Sequence, residues 1–263
     1  MRAAPAPAKQ NATTMQKKTI FVTNDDGILA PSLAALSKAA SKFGRVVVVA
    51  PDRNRSAISS AMSVHDILRL DEISQDCYAC SGTPVDCVLM GLRHVLSSPP
   101  DWVLSGINWG YNLAEDVIYS GTVGAAFEGR LHGARCAAFS LCRSGDLGVA
   151  EKWVELFLAN WEKIELPQNS IWNVNFPESD PKGFRLTTQG RRSYFDLMEQ
   201  RTDPRGKPYF WIGGEGVPEY AKHVGTDAEA IHNGYASVTP LNMDLTCQAT
   251  IANGSLFDDA FKK

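Results

Sequence analysis

Three features of the sequence predict a doubly wound, mostly parallel α/β sheet that carries a C-terminal hairpin arm. Residues 45–50 (RVVVVA) form an unbroken apolar run, the pattern of a strand buried on both faces of a parallel sheet. Between an earlier run of strand type at 20–22 and this one lies the segment 31–40 (PSLAALSKAA), with helical spacing, a proline at its opening and Gly44 beyond its end. Strand, helix and strand make a βαβ unit whose crossover is expected to be right-handed. Beyond Gly190 the texture changes: residues 191–216 mix charges, prolines and the aromatics Tyr194, Phe195, Tyr209, Phe210 and Trp211, which reads as a long hairpin rather than another βαβ unit.

The chain has 263 residues, 44% apolar and 21% charged, enough for one large core or a core with an appendage. We divide it into an N-terminal extension at 1–17, expected to be disordered, a catalytic core at 18–190, and an oligomerisation arm with a returning strand and helix at 191–263. The extension has neither the apolar core of a signal peptide nor periodicity. A net charge of −3 gives no bulk attraction for a nucleic-acid duplex or an anionic membrane, and no apolar run approaches the ~20 residues that span a bilayer. The six cysteines sit mostly in apolar segments, as expected of reduced thiols in a cytoplasmic protein. Cys77 and Cys80 have CxxC spacing, but no second pair completes a zinc site.

The first strand ends abruptly in Asn24-Asp25-Asp26-Gly27. This sets two adjacent carboxylates at the carboxyl edge of the sheet, where open α/β sheets bind ligands. Two ionised carboxylates in one crevice call for a compensating charge, most economically a divalent cation; a solvated turn made of ordinary turn residues is the competing reading. The polar stretch 51–60, which includes Ser56, follows the second strand onto the same edge. Residues 64–73 and 77–79 look like an inserted hairpin. The helix 84–96 follows, with Val85, Val88, Leu89, Leu92 and Leu96 on its core face, so Asp86 and Cys87 need no catalytic explanation.

A strand at 101–105 leads into Asn108, Trp109, Tyr111 and Asn112. The small residues Ser120, Gly121 and Thr122 then open a helix over 123–134, where free N–H groups and the helix dipole favour a phosphate; a glycine-rich helix start packed on the sheet is the plainer alternative. The pattern is neither a dinucleotide fingerprint nor a Walker loop. A strand at 136–141, a helix within 147–161, and strands at 171–176 and 235–241 complete the α/β pattern, with a helix start at Gly225-Thr226-Asp227.

Asp25, Asp26, Ser56 and Asn108 all follow successive strands, so one pocket can hold them, and all four offer oxygen. Oxygen ligands select Mg²⁺, Mn²⁺ or Ca²⁺ over zinc. With Ser120, Gly121 and Thr122 beside them to receive phosphoryl oxygens, they describe a metal-assisted phosphomonoesterase. The five histidines show no catalytic spacing, which disfavours a Ser-His-Asp hydrolase.

The motifs at 23–27 (TNDDG), 51–56 (PDRNRS), 82–88 (GTPVDCV), 105–113 (SGINWGYNL), 119–126 (YSGTVGAA), 172–177 (WNVNFP), 211–214 (WIGG) and 225–227 (GTD) together resemble the SurE survival-protein family of metal-dependent nucleoside monophosphate phosphatases. The resemblance spans 18–246. It implies a three-layer core and a C-terminal arm exchanged between subunits in dimers that pair into tetramers. It further implies one divalent metal per subunit, Mg²⁺ or Mn²⁺, held by Asp25, Asp26, Ser56 and Asn108, with Asn24, Asn112, Ser120, Gly121 and Thr122 around the phosphate. Asp25, Asp26 and Asn24 are the implied catalytic residues. Ser32 and Ala114 stand where the family commonly has Gly, and Ser63 where it often has Thr; none of the three is a ligand.

The expected substrates are nucleoside 5′- and 3′-monophosphates, with loose base selectivity because Trp109 and Tyr111 offer aromatic faces that stack on any base. Two alternatives stand beside this reading. A non-catalytic nucleotide sensor would bind without turnover, and a broader phosphatase or polyphosphatase would accept other esters. A dehalogenase-type phosphatase separates its two aspartates by one residue, whereas Asp25 and Asp26 are contiguous.

Overall fold

A computed structural model describes residues 18–193, 198–212, 219–221, 223–252 and 254. The expected N-terminal extension, and Tyr194 and Phe195 of the arm, lie outside the described residues.

The chain begins the sheet with β1 (Lys18–Thr23), turns through α1 (Pro31–Ser41) and returns as β2 (Gly44–Pro51). β2 lies parallel to β1, which is the βαβ unit expected from the sequence. Within β1 the side chains alternate between faces, and Ile20, Phe21 and Val22 are all fully buried. Ile20 and Val22 join one apolar cluster with Leu33 and Leu36 of α1, whereas Phe21 joins another with Val88 and Val123. Two cores back to back on one sheet are possible only if helices cover both faces, so the layers are helix, sheet and helix. Burying each large apolar side chain contributes about 1.5–3 kcal/mol.

The hairpin β3 (Leu70–Ser74) and β4 (Cys77–Cys80) forms one edge. It is shorter than the sequence suggested, since residues 64–69 are loop, and β4 also runs parallel to β2 as part of the main sheet. α2 (Pro84–Met90) opens with a reciprocal cap: the Asp86 N–H donates to Thr83 Oγ1 (3.1 Å) and the Thr83 N–H donates to Asp86 Oδ2 (2.8 Å). Asp86 is therefore a capping residue. The helix then widens into one π-helical turn, Gly91–Val95, and Gly91 sits so close to Phe21 that an added Cβ would lie 2.0 Å from its ring.

Then come β5 (Trp102–Trp109), α3 (Asp116–Tyr119), α4 (Gly121–Leu131), β6 (Arg135–Leu141), α5 (Leu147–Asn160) and β7 (Ser170–Phe176). α1 and α5 cover one face, α2 and α4 the other. β8 (Phe184–Leu186) closes the far edge. The arm contributes β9 (Arg192–Ser193), β10 (Met198–Thr202), β11 (Pro208–Ile212) and β12 (Glu219–Tyr220). Among the described residues, β10 and β11 pair only with each other, as an antiparallel ribbon outside the main sheet. After α6 (Asp227–His232), β13 (Ala236–Asn242) inserts antiparallel to β7, and α7 (Gln248–Ala252) follows.

The nine strands run in the order β3-β4-β2-β1-β5-β6-β7-β13-β8. The chain moves outward from β1 to β2 and β4, then crosses back to place β5 on the other side of β1, parallel to it. The direction of winding therefore reverses between β1 and β5. Their carboxyl ends form the crevice where such sheets bind ligands.

Candidate active site

Asn24, next after β1, spends its side chain on the turn. Its Oδ1 accepts from the Gly27 N–H and its Nδ2 donates to the Gly27 carbonyl, each at 3.1 Å. Gly27 has φ +106°, and a Cβ there would sit 3.1 Å from the Arg53 carbonyl carbon, so only glycine lets the β2 loop approach this closely. That approach is fixed by the Arg55 N–H, which donates to the Asp25 carbonyl at 2.7 Å. Asn24 thus shapes the loop that presents the aspartates.

Asp25 is 3% exposed, and its Oδ1 accepts from Thr122 Oγ1 at 2.7 Å. The Thr122 backbone N–H also faces this carboxylate, so the start of α4 is turned onto Asp25. Burial drives its pKa from 3.8 to about 6; the Thr122 bonds pull it down and the neighbouring charge of Asp26 pushes it further up. Gly121 makes the approach possible, because a Cβ there would lie 3.1 Å from Asp25 Cβ and from the Pro84 ring. Asp26 Oδ2 accepts from the Trp109 N–H at 3.1 Å and Oδ1 from Asn54 Nδ2 at 3.3 Å. Burial raises its pKa too, against the Trp109 N–H and the charge of Arg143.

A cleft of about 1250 Å³ opens beside Asp25 and is lined by Asp25, Ser56, Asn108, Asn112 and Ser120. Five of the nine site residues expected from the sequence thus share one cavity. Asp26, Gly121 and Thr122 adjoin Asp25, and Asn24 sits behind it in the turn. Asn108 Nδ2 donates to the Gly110 carbonyl at 2.8 Å, which orients the amide. Ser120 caps α4, with its Oγ accepting from the Val123 N–H at 3.1 Å.

Sequence reasoning passed over the braces behind these groups. The Asn112 N–H donates to Asn175 Oδ1 (2.9 Å), its carbonyl accepts from Asn173 Nδ2 (2.8 Å), and its own Nδ2 donates to Ser140 Oγ (2.8 Å). Asn173 and Asn175 are fully buried in β7. Alternating asparagines in so apolar a strand were the available signal, since buried amides are retained where they are hydrogen-bonded. Asp227 is also fully buried and accepts from the Ala114 and Gly190 N–H groups, each at 2.9 Å, which ties the loop after β5 to the start of the arm. Cleft walls that the sequence did not single out include Arg143, Tyr119 and the ion-paired Asp116 and Arg192; Tyr220 donates to Asp116 at 3.0 Å. Tyr111 also lines the cleft but is only half-buried, and Trp109, 39% exposed, offers the more open aromatic face.

The chemistry of this donor set fits a hard divalent cation. Asp25 and Asp26 are adjacent carboxylates with no Lys or Arg ion pair among the described residues, and the nearby cleft-lining donors are a hydroxyl and an amide. No cluster of three or more His, Cys, Asp or Glu side chains occurs among the described residues, so a thiolate or imidazole metal site is not formed there.

The chain resembles proteins of known class over most of its length. The model of the family described as Survival protein SurE matches residues 20–196. The 5′-nucleotidase SurE of Syntrophotalea carbinolica is 48% identical over 234 residues, covering 86% of this chain and 92% of that protein. The 5′-nucleotidase SurE of Geobacter metallireducens is 41% identical over 247 residues, covering 92% and 98%. The crystal structure of the SurE protein from Aquifex aeolicus superposes with a TM-score of 0.79 at 40% identity, covering 92% of this chain and all of that one. A switch-point carboxylate pair, the motifs that build it and this agreement over nearly the whole fold place the chain in the SurE family.

Proposed function

We propose that this chain is a metal-dependent phosphomonoesterase that converts nucleoside 5′-monophosphates, and 3′-monophosphates, to nucleoside and phosphate. The observation that carries the reading is the adjacent pair Asp25 and Asp26, both desolvated and with no Lys or Arg ion pair among the described residues, with Asp25 lining one cleft together with Ser120 at the start of α4. The names of the relatives, 5′-nucleotidase SurE, support the substrate class.

Asp25, Asp26, Ser56 and Asn108 would hold one Mg²⁺ or Mn²⁺ ion. When bound, such an ion supplies the positive charge that polarises a phosphoryl oxygen and raises the acidity of water. The protein's own part is positioning. Thr122 fixes the Asp25 carboxylate through Oδ1. Asp25, which lines the cleft where Asp26 does not, is the better placed to take a proton from attacking water. Ser120 and the adjoining helix start receive phosphoryl oxygens, with Asn112 beside them. Asn24 contributes through the turn it closes. The Trp109 indole, at the mouth, takes a base by stacking and so does not choose among bases. A single anion site with no Walker loop gives weak action on triphosphates.

Assembly belongs to the same proposal. On the β10–β11 ribbon, Met198 (65% exposed), Phe210 (55%) and Ile212 (85%) share one face and Trp211 (59%) lies on the other, apolar surface that a second subunit of a dimer or tetramer would cover. Among the described residues, no helix is long and apolar enough to cross a membrane. We place the enzyme in the cytoplasm.

The test is phosphate release by purified protein from purine and pyrimidine monophosphates, in 5′ and 3′ forms, with ATP and a sugar phosphate as comparators. Turnover of the monophosphates separates an enzyme from a sensor. Preference for either comparator would overturn the nucleotidase reading, and a trapped covalent phosphoenzyme would overturn direct attack by water.

A further inference from the structure

We propose that Arg143 binds the phosphate of the substrate, as the cation that makes the loaded cleft attractive to a dianion. The inference rests on the proposed phosphatase reading and names a residue that reading does not use.

A charge count motivates it. Asp25 and Asp26 carry two negative charges and a divalent ion cancels them, so the loaded centre is neutral toward a phosphate monoester that arrives with two of its own. Neutral donors, such as Ser120 Oγ and a helix start partly committed to Asp25, leave that charge uncompensated. Two arginines line the cleft among the described residues. Arg192 is ion-paired with Asp116 and is committed to the wall. Arg143 has no carboxylate ion pair there, and it projects from the β6–α5 connection.

The backbone holds it over the site. The Gly110 N–H donates to the Leu141 carbonyl at 2.9 Å, which ties the end of β5 to the end of β6 two residues before Arg143. Gly110 adopts φ +139°, and a Cβ on it would stand 3.5 Å from Arg143 Nε. The arginine therefore lies against the segment that supplies Asn108 and, through the Trp109 N–H, anchors Asp26. Its positive charge acts on Asp26, holding that carboxyl's pKa down against the rise that burial causes. Once a cation neutralises that carboxylate, a planar guanidinium at the cleft mouth is free to take two phosphoryl oxygens at once.

Arg143 is exposed, so Arg143→Gln and Arg143→Lys will fold as the parent does. With Mg²⁺ present, Arg143→Gln should raise KM for AMP about tenfold, the factor of one hydrogen bond to a charged group, while kcat stays within about twofold. Arg143→Lys should recover only part of the loss, because it restores the charge but not the two-oxygen fork. Inorganic phosphate supplies a readout that needs no turnover: the melting-temperature rise it gives the Mg²⁺-loaded parent should shrink in Arg143→Gln. An unchanged KM together with an unchanged phosphate shift would overturn the assignment. If the parent releases no phosphate from AMP, the nucleotidase reading fails, and the phosphate shift still decides for Arg143. A shift lost in the glutamine variant sustains its role; an equal shift, or none in the parent, refutes it.

Discussion

Replacing Asp25 with asparagine should stabilise the metal-free protein while abolishing catalysis. Its carboxyl is carried from 3.8 to about 6 by folding, chiefly through desolvation. A raised carboxylate pKa means that the folded chain holds the proton more tightly than the unfolded one. The resulting cost is absent below the unfolded pKa, grows between 3.8 and about 6, and is complete above that. At pH 8 a shift of this size costs about 3 kcal/mol, at 1.36 kcal/mol per pK unit. Asparagine removes the charge at nearly constant volume. Its Oδ1 still accepts from Thr122 Oγ1, but its amino group no longer suits the Thr122 N–H, a loss of about 1 kcal/mol. The net gain at pH 8 is therefore about 2 kcal/mol, or roughly 4–8 °C for a chain of this size. At pH 5 the gain should be much smaller, because the wild-type carboxyl is then mostly protonated. Thermal unfolding of both proteins in chelator at pH 5 and pH 8 reads the difference. Added Mg²⁺ should then raise the wild type and leave Asp25→Asn unmoved. A variant less stable than the wild type in chelator, by the same margin at both pH values, would refute the reasoning.

Other outcomes follow from the same site and surface. Exhaustive chelation should abolish phosphate release, and Mg²⁺ or Mn²⁺ should restore it better than Zn²⁺, because the donors are oxygens; activity surviving chelation would reject a metal mechanism. Trp109→Ala should raise KM about tenfold for purine and pyrimidine monophosphates alike, since stacking contributes about 1–3 kcal/mol per base. A loss confined to one base would mean that the indole reads rather than stacks. Deleting residues 198–212 should yield monomers by light scattering, because among the described residues the ribbon pairs with no strand outside itself; an unchanged assembly would put the interface elsewhere.

The parts of this fold that were legible in the sequence are those set by local periodicity. The apolar run of β2, the Pro31 opening of α1 and the abrupt polar end of β1 each express a nearby physical constraint. Long-range pairing left weaker traces. β4 joins β2 in parallel although its four residues read as half of a local hairpin, and β13 reverses direction against β7, which no pattern within either strand dictates. The site divides the same way. Asp25, Asp26 and Ser56 announced themselves by following strands; Asn108, expected after a strand at 101–105, lies inside β5, which runs on past an irregularity to Trp109. Asn24, expected beside the phosphate, closes the turn that presents the aspartates, with Oδ1 and Nδ2 each bonded to Gly27, a role that only the folded loop reveals. Arg143 was illegible because its meaning depends on how β5 and β6 end side by side.

The linkage between fold and chemistry follows from where the site's charges sit. Asp25 and Asp26 are approached by three separate segments: Arg55 after β2, Trp109 at the end of β5 and Thr122 at the start of α4. Each supplies hydrogen bonds and none supplies a full positive charge at ion-pair distance, so the protein orients the carboxylates without neutralising them. That arrangement is unfavourable for the metal-free chain, as the upward shift of both carboxyls shows. It favours a site meant to be completed by a cation, because any internal Lys or Arg salt bridge would compete with the ion for the same oxygens. Cation binding and folding should therefore be coupled, with the free energy that removes the desolvation penalty appearing as affinity for the ion. The same logic sets Arg143 at the mouth rather than beside Asp25: a cation there can attract phosphate without displacing the metal.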